Sequence, residues 1–139
     1  MSDRHAQLTT LVKQLYERTA AGDWTAAEAQ LTDDFIAIEA DHLPFAGTYS
    51  GKGGLRTLFG IVMGSTDVVD MQIHEITAGE DYAVTLIDLV FARPEGARAR
   101  IAEMFRFRGD QVCELRPFYF DPAPVLAAVA AKRETTAAV

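Results

Sequence analysis

The prevailing hydrophobic period of this chain changes near Gly64 from that of a helix to that of a strand, and the change limits what the chain can fold into. Before it, Leu8, Leu11, Val12, Leu15 and Tyr16 recur on one face of a predicted helix over residues 5–21, which Gly22 ends. Asp23 is placed to cap a short second helix with Trp24, Ala27 and Leu31 inward, and Thr25 with Glu28 offers a competing capping box. Asp33-Asp34 closes that helix, residues 35–41 read as a short strand, and 42–50, with Pro44 and Gly47, read as a loop. A third helix is predicted over 52–63, with Leu55, Leu58, Phe59, Val62 and Met63 on one face.

Beyond Gly64 the pattern is period two. Val69, Met71 and Ile73 alternate with Asp70, Gln72 and His74, as in a half-buried strand. After the turn at Gly79-Glu80-Asp81, residues 82–92 are apolar on both faces, which predicts a central strand. Ile101, Glu103, Phe105 and Phe107 then alternate with Arg98, Arg100, Met104, Arg106 and Arg108, and Gly109-Asp110 predicts a hairpin into 112–120. Asp121-Pro122 is an N-cap with an N1 proline, opening a last helix to about Ala131; the polar tail over 132–139 is expected to fray. Helices bunched ahead of a strand meander predict an α+β domain over residues 5–131, its helices covering one face of a curved antiparallel sheet.

Composition excludes several function classes. Thirteen basic residues against 20 acidic ones give a net charge of −7, the wrong sign for tracking phosphates, so no nucleic acid partner is expected. Cys113 is alone, which rules out an intramolecular disulfide or a thiolate metal cage, and no zinc, iron or calcium spacing is present. Lys52-Gly53-Gly54 lacks the flanking residues of a phosphate loop, and no Gly-x-Ser-x-Gly elbow occurs. The first 18 residues mix charges, and no apolar run is long enough to span a bilayer; a cytoplasmic protein without membrane partner, metal or cofactor is expected.

Glu103 carries the strongest chemical signal. It sits on the apolar face of its strand with Ile101, Phe105 and Phe107, where a carboxylate is costly unless paired, hydrogen-bonded or protonated. Asp88 stands out likewise between Leu86 and Val90, but its strand is apolar on both sides, so it points either into a pocket beside Glu103 or into the sheet surface. His74 falls on the outer face and His42 in the loop.

Ala21-Gly22-Asp23-Trp24, Asp33-Asp34 before a strand, Gly47-Thr48-Tyr49-Ser50-Gly51 and Phe118-Tyr119-Phe120-Asp121-Pro122, in that order, resemble the nuclear transport factor 2-like superfamily. Within it the chain most resembles SnoaL-like proteins, the group of polyketide cyclases and relatives of ketosteroid isomerase, from Leu8 to about Ala128. The resemblance implies a cone-shaped, cystatin-like α+β barrel around an apolar pocket, dimeric through its sheet. It does not imply one activity, since members include isomerases, cyclases, hydrolases, dehydratases and non-catalytic binders. It implies that Glu103 matches the oxyanion-hole acid and Glu39 the general base of the isomerase, where the family has Asp at both. Asp41, two residues on from Glu39, is an alternative acid or base at the pocket mouth. The oxyanion-hole tyrosine falls at Leu15, and the adjacent Tyr16 is turned about 100° away on an ideal helix, so that third group is expected to be missing.

The expected ligand is therefore a small apolar, polyketide- or steroid-like molecule, with Tyr16, Asp88, Phe105, Tyr119, Phe59 and Trp24 as its contacts. Cofactor-independent proton transfer is the expected chemistry; the alternatives are a non-catalytic binding or dimerisation module, and a water-activating hydrolase. A homodimer is expected through the strand face that carries Glu114, Arg116, Phe118 and Phe120.

Overall fold

α1 (Asp3–Ala21) forms where the apolar spacing requires it, burying Leu8, Val12 and Leu15 against the sheet. Gly22, at φ 73°, takes the left-handed conformation that ends it. The capping competition at α2 (Trp24–Ala29) goes to Asp23, whose Oδ1 accepts from the Ala26 backbone N–H at 3.2 Å. These elements belong to a computed structural model that describes residues 3–137.

β1 (Leu31–Glu39) begins earlier than the sequence predicts, taking in Asp33 and Asp34 instead of starting after them. The two aspartates lie where the pairing of β1 with its neighbour shifts register, between Leu31 and Ile36. Such a bulge turns both side chains out to solvent, where Asp34 accepts from Arg108 at 2.9 and 3.0 Å. The predicted loop over 42–50 also contains a strand, β2 (Gly47–Ser50), paired antiparallel with β1 at the sheet edge. Four short, mostly exposed residues carry no hydrophobic alternation, so the β1 backbone specifies this strand and its side chains do not.

After α3 (Gly54–Ser65) come β3 (Val68–Ala78), β4 (Tyr82–Phe91), β5 (Arg98–Arg108) and β6 (Gln111–Tyr119), the antiparallel meander that period two predicts. The sheet order is β2-β1-β6-β5-β4-β3, with β1 parallel to β6, so the six strands form a curved, unclosed α+β sheet. Register shifts in β3 and between β5 and β6 supply local bends. The inner face holds Phe35, Ala83, Ile87, Phe91, Ile101 and Phe105, all packed into the core with α1 and α3.

α4 (Ala123–Ala137) opens with Asp121 accepting from the Ala123 backbone N–H at 2.9 Å. It runs past Ala131, where the sequence predicts the start of a frayed tail. Lys132 reaches Asp67 at 2.7 Å and Thr135 accepts from Arg93, contacts whose partners lie more than 40 residues away and leave no local signature.

Candidate functional site

The inner face of the sheet, α1 and α3 enclose a cavity of about 380 Å³, within the size range of small-molecule sites. Its wall is mostly apolar: Leu15 from α1, Leu55, Leu58, Phe59 and Val62 from α3, Met71, Ile87, Leu89, Ile101, Phe105 and Leu115 from the strands. Phe59, Met63 and Val69 line it and are also exposed, so the mouth lies between α3 and the start of β3. Asp70 stands at the same opening.

Two carboxylates face this cavity from different strands. Glu39, the last residue of β1, is 3% exposed, and its Oε1 has no hydrogen-bond partner. Burial first and the charge of Glu103 second push its pKa up to about 8. Glu103, on β5 between Thr85 and Pro117 of the neighbouring strands, lies deep in the molecule while keeping part of its surface on the cavity. Burial raises its pKa as well, and a hydrogen bond from Tyr16 opposes that rise. Lacking an N–H, Pro117 cannot extend the β1–β6 ladder, whose last pair is Ala37 with Leu115. The ladder therefore stops short of Glu39, whose backbone pairs on its other side with Gly47 of β2.

Tyr16 overturns one expectation. Its hydroxyl donates to Glu103 Oε1 at 2.8 Å, and its ring packs edge-on against Phe105 with centroids 5.7 Å apart. Both Leu15 and Tyr16 line the cavity, because the face that α1 presents is wide enough to include consecutive residues. A tyrosine hydroxyl therefore reaches Glu103 from α1 although the matched position itself is Leu15. Tyr119, at the end of β6, lines the cavity too; burial and then the charges of Glu39 and Glu103 push its hydroxyl's pKa up. It packs against Phe45 at 6.5 Å. Thr85, fully buried beside Glu103 with its hydroxyl toward that of Tyr16, escapes sequence reading because a threonine in an apolar strand gives no chemical signal.

Phe59, Phe105, Tyr16 and Tyr119 thus stand where a ligand would touch them. Three expected residues do not. Asp88 faces the opposite side of the sheet, with Arg98 at 2.8 Å, His74 at 3.4 Å and Arg100 at 3.8 Å. Burial acts to raise its pKa, but the hydrogen bonds and charges of those neighbours prevail and hold it below the usual carboxylate range. Asp41 lies beyond the end of β1 in an exposed turn, so it does not share the face of Glu39. Trp24 stays outside the cavity and braces its rim, edge-on to Phe59 at 5.3 Å and with the Arg56 guanidinium 5.9 Å from its ring. The short α2 carries Trp24 onto the far side of Phe59.

Among the described residues, no His, Cys, Asp and Glu group is clustered to hold a metal, no helix is long and apolar enough to cross a membrane, and no Arg or Lys lines the cavity. The site offers two buried carboxylates, two tyrosine hydroxyls and an apolar wall. That set can hold a proton on one carboxyl, a negative charge on the other, and a flat apolar molecule between them.

A family model for the SnoaL-like domain matches residues 12–115. The fold is similar to that of a putative SnoaL-like polyketide cyclase from Jannaschia sp. CCS1, with a TM-score of 0.76, 17% identity, and coverage of 94% of this chain and 96% of that one. An NTF2-like protein of unknown function from Burkholderia pseudomallei gives a TM-score of 0.73 and 17% identity over 94% of this chain and 100% of that one. TerC, co-crystallised with polyporic acid, gives 0.71 and 12% over 89% and 98%. Among curated proteins none matches.

Proposed function

The chain belongs to the SnoaL-like domain family, within the NTF2-like fold, and from that premise we propose that it binds an apolar carbonyl compound in the cavity and moves a proton between two of its carbons. The observation that carries this reading is the pair of buried carboxylates on one apolar cavity, one held by Tyr16 and the other without a partner. A hydrogen bond stabilises an ionised carboxylate, and an unpartnered buried one favours the neutral form. When the pair holds one proton, Glu39 therefore keeps it and Glu103 carries the charge. Glu103 takes a proton from the carbon next to the substrate carbonyl. Glu39 donates a hydrogen bond to the enolate oxygen that develops, and Glu103 returns its proton to a second carbon. This exchanges the roles that the resemblance to ketosteroid isomerase implies. An apolar wall keeps competing water from both groups.

Proton exchange tests the reading. Tetralone and decalone are incubated with the protein in heavy water and followed by NMR. The expected result is deuterium uptake beside the carbonyl, slowed by about 10²–10⁴ in Glu103→Gln. Above a pH of about 8, where Glu39 loses its proton, uptake should decline. If neither ketone exchanges faster than in buffer although both bind, the domain is a binding module and the catalytic reading falls.

We further propose a homodimer through the outer sheet face. Leu86, Ala102 and Phe118 form a cross-strand row there, and Phe118 and Phe120 are 55% and 87% exposed. Aromatic side chains in the open beside the Glu114–Arg116 ion pair suit the centre and rim of an interface between copies.

A further inference from the structure

The cavity is electrostatically lopsided. Glu39, Glu103 and, at the mouth, Asp70 all line it, and among the described residues no basic side chain does. The cations near its ends are engaged elsewhere: Arg56 sits over Trp24, and Arg98 and Arg100 serve Asp88 on the other face of the sheet. Glu39 is almost wholly buried with an oxygen that accepts no hydrogen bond, so the protein itself leaves an acceptor site open. Buried carboxylates without a counter-ion call for a donor from outside, and the donor that satisfies two of them best is a cation.

We propose that the cavity is a receptor for an apolar monoamine, held as its ammonium ion by Glu39 and Glu103 with the hydrocarbon body against the apolar wall, and that it refuses carboxylates. The inference uses the cavity as a ligand site but does not depend on the proton-transfer step proposed above. On binding, Glu39 gives its proton to solvent and the ligand keeps its own, so the pair is doubly ionised against one positive charge. The groups facing Glu39 are Glu103 from β5, Tyr119 from β6 and Tyr49 from β2, while Tyr16 from α1 is bonded to Glu103 and α3 presents apolar side chains. The tyrosines stay protonated throughout, because burial pushes the pKa of each upward. Glu103 is the remaining titrating neighbour.

Three probes of one shape separate the charges: naphthylmethylamine, naphthylmethanol and naphthoate, titrated calorimetrically into the wild-type protein. The amine is expected to bind at least about tenfold more tightly than the alcohol near pH 8, and the naphthoate at least about tenfold more weakly. Between about pH 6 and about pH 8, amine affinity should rise roughly tenfold per pH unit as one proton is released, while alcohol affinity stays nearly flat. Titrations near pH 7 in buffers of different ionisation enthalpy should count about one released proton. In Glu39→Gln the preference for amine over alcohol should shrink about tenfold. Equal affinity for amine and alcohol, preference for the naphthoate, or no amine binding at millimolar concentration overturns the proposal. Amine binding without ketone exchange leaves it standing and removes only the proton-transfer reading; exchange without amine preference does the reverse.

Discussion

At the scale of single residues, Glu39 and Asp88 show how the same burial has opposite consequences. Asp88 has two guanidinium groups and the His74 imidazole within 4 Å, and its pKa lies below that of a free aspartate. The stability it adds is present above the unfolded-state pKa and is lost as pH falls through the lower folded value. Glu39 has no such partner, and its folded pKa is raised to about 8. The folded state then binds the proton more tightly than the unfolded one, so stability falls as pH rises from the unfolded value toward 8, by at most about 1.4 kcal/mol per pH unit. Glu39→Gln removes the charge and keeps the shape. Denaturant unfolding should find it close to wild type near pH 5 and more stable by a few kcal/mol at or above a pH of about 8. A constant difference at both pH values would mean that Glu39 is ionised or solvated in the fold. Of these residues, Glu103 was legible because its strand neighbours are apolar on one side only. Asp88 was not, because Leu86 and Val90 fit either face, and the arginines that cover it come from β5.

Among the elements, the one that sequence reading missed altogether, β2, is specified by its neighbour. β2 exists because β1 offers it hydrogen bonds, and α3 then starts hard against it. A Cβ at Gly54 would stand 2.7 Å from the backbone of Tyr49, closer than packing permits. In Lys52-Gly53-Gly54, which lacks the flanking residues of a phosphate loop, the second glycine therefore has a packing reason. Gly54→Ala should destabilise the protein by about 1–3 kcal/mol, measured as a lower denaturant midpoint with an unchanged slope. No loss would show that α3 shifts freely against β2. α1 is fixed by different means: Arg4 donates to the Glu80 and Gly109 carbonyls at 2.9 and 2.6 Å and to Asp110 at 3.3 Å, clamping the turns of two hairpins. Arg4→Ala is expected to cost about 1–3 kcal/mol, since its donors are charged and its acceptors fixed. Arg4→Lys should recover part of that, because a lysine reaches fewer acceptors at once. Equal stability of all three forms would assign the clamp to the surface pairs that contribute nothing measurable.

For the whole molecule, the proposed pairing of outer sheet faces has a direct measurement. Light scattering at micromolar concentration should give twice the chain mass, and Phe118→Glu should return the monomer by placing charge in the apolar centre of the interface. A wild-type monomer would end that proposal without touching the cavity, which lies on the other face. The sequence by itself determined the architecture: a helical period before Gly64, period two after it and turn residues between strands leave an antiparallel meander backed by helices, because local periodicity dictates which face each element must bury. It also singled out Glu103, since a charge among apolar strand neighbours is a local contradiction. Tertiary structure alone decided the rest. Tyr16 meets Glu103 across 87 residues of chain, and Glu39 Oε1 is buried without a hydrogen-bond partner on a cavity lined by α1, α3 and the other strands. Asp88 is turned away from the cavity by partners on β3 and β5. Each of these depends on the relative placement of separate elements, and one strand's alternation says nothing about how its neighbours are set beside it.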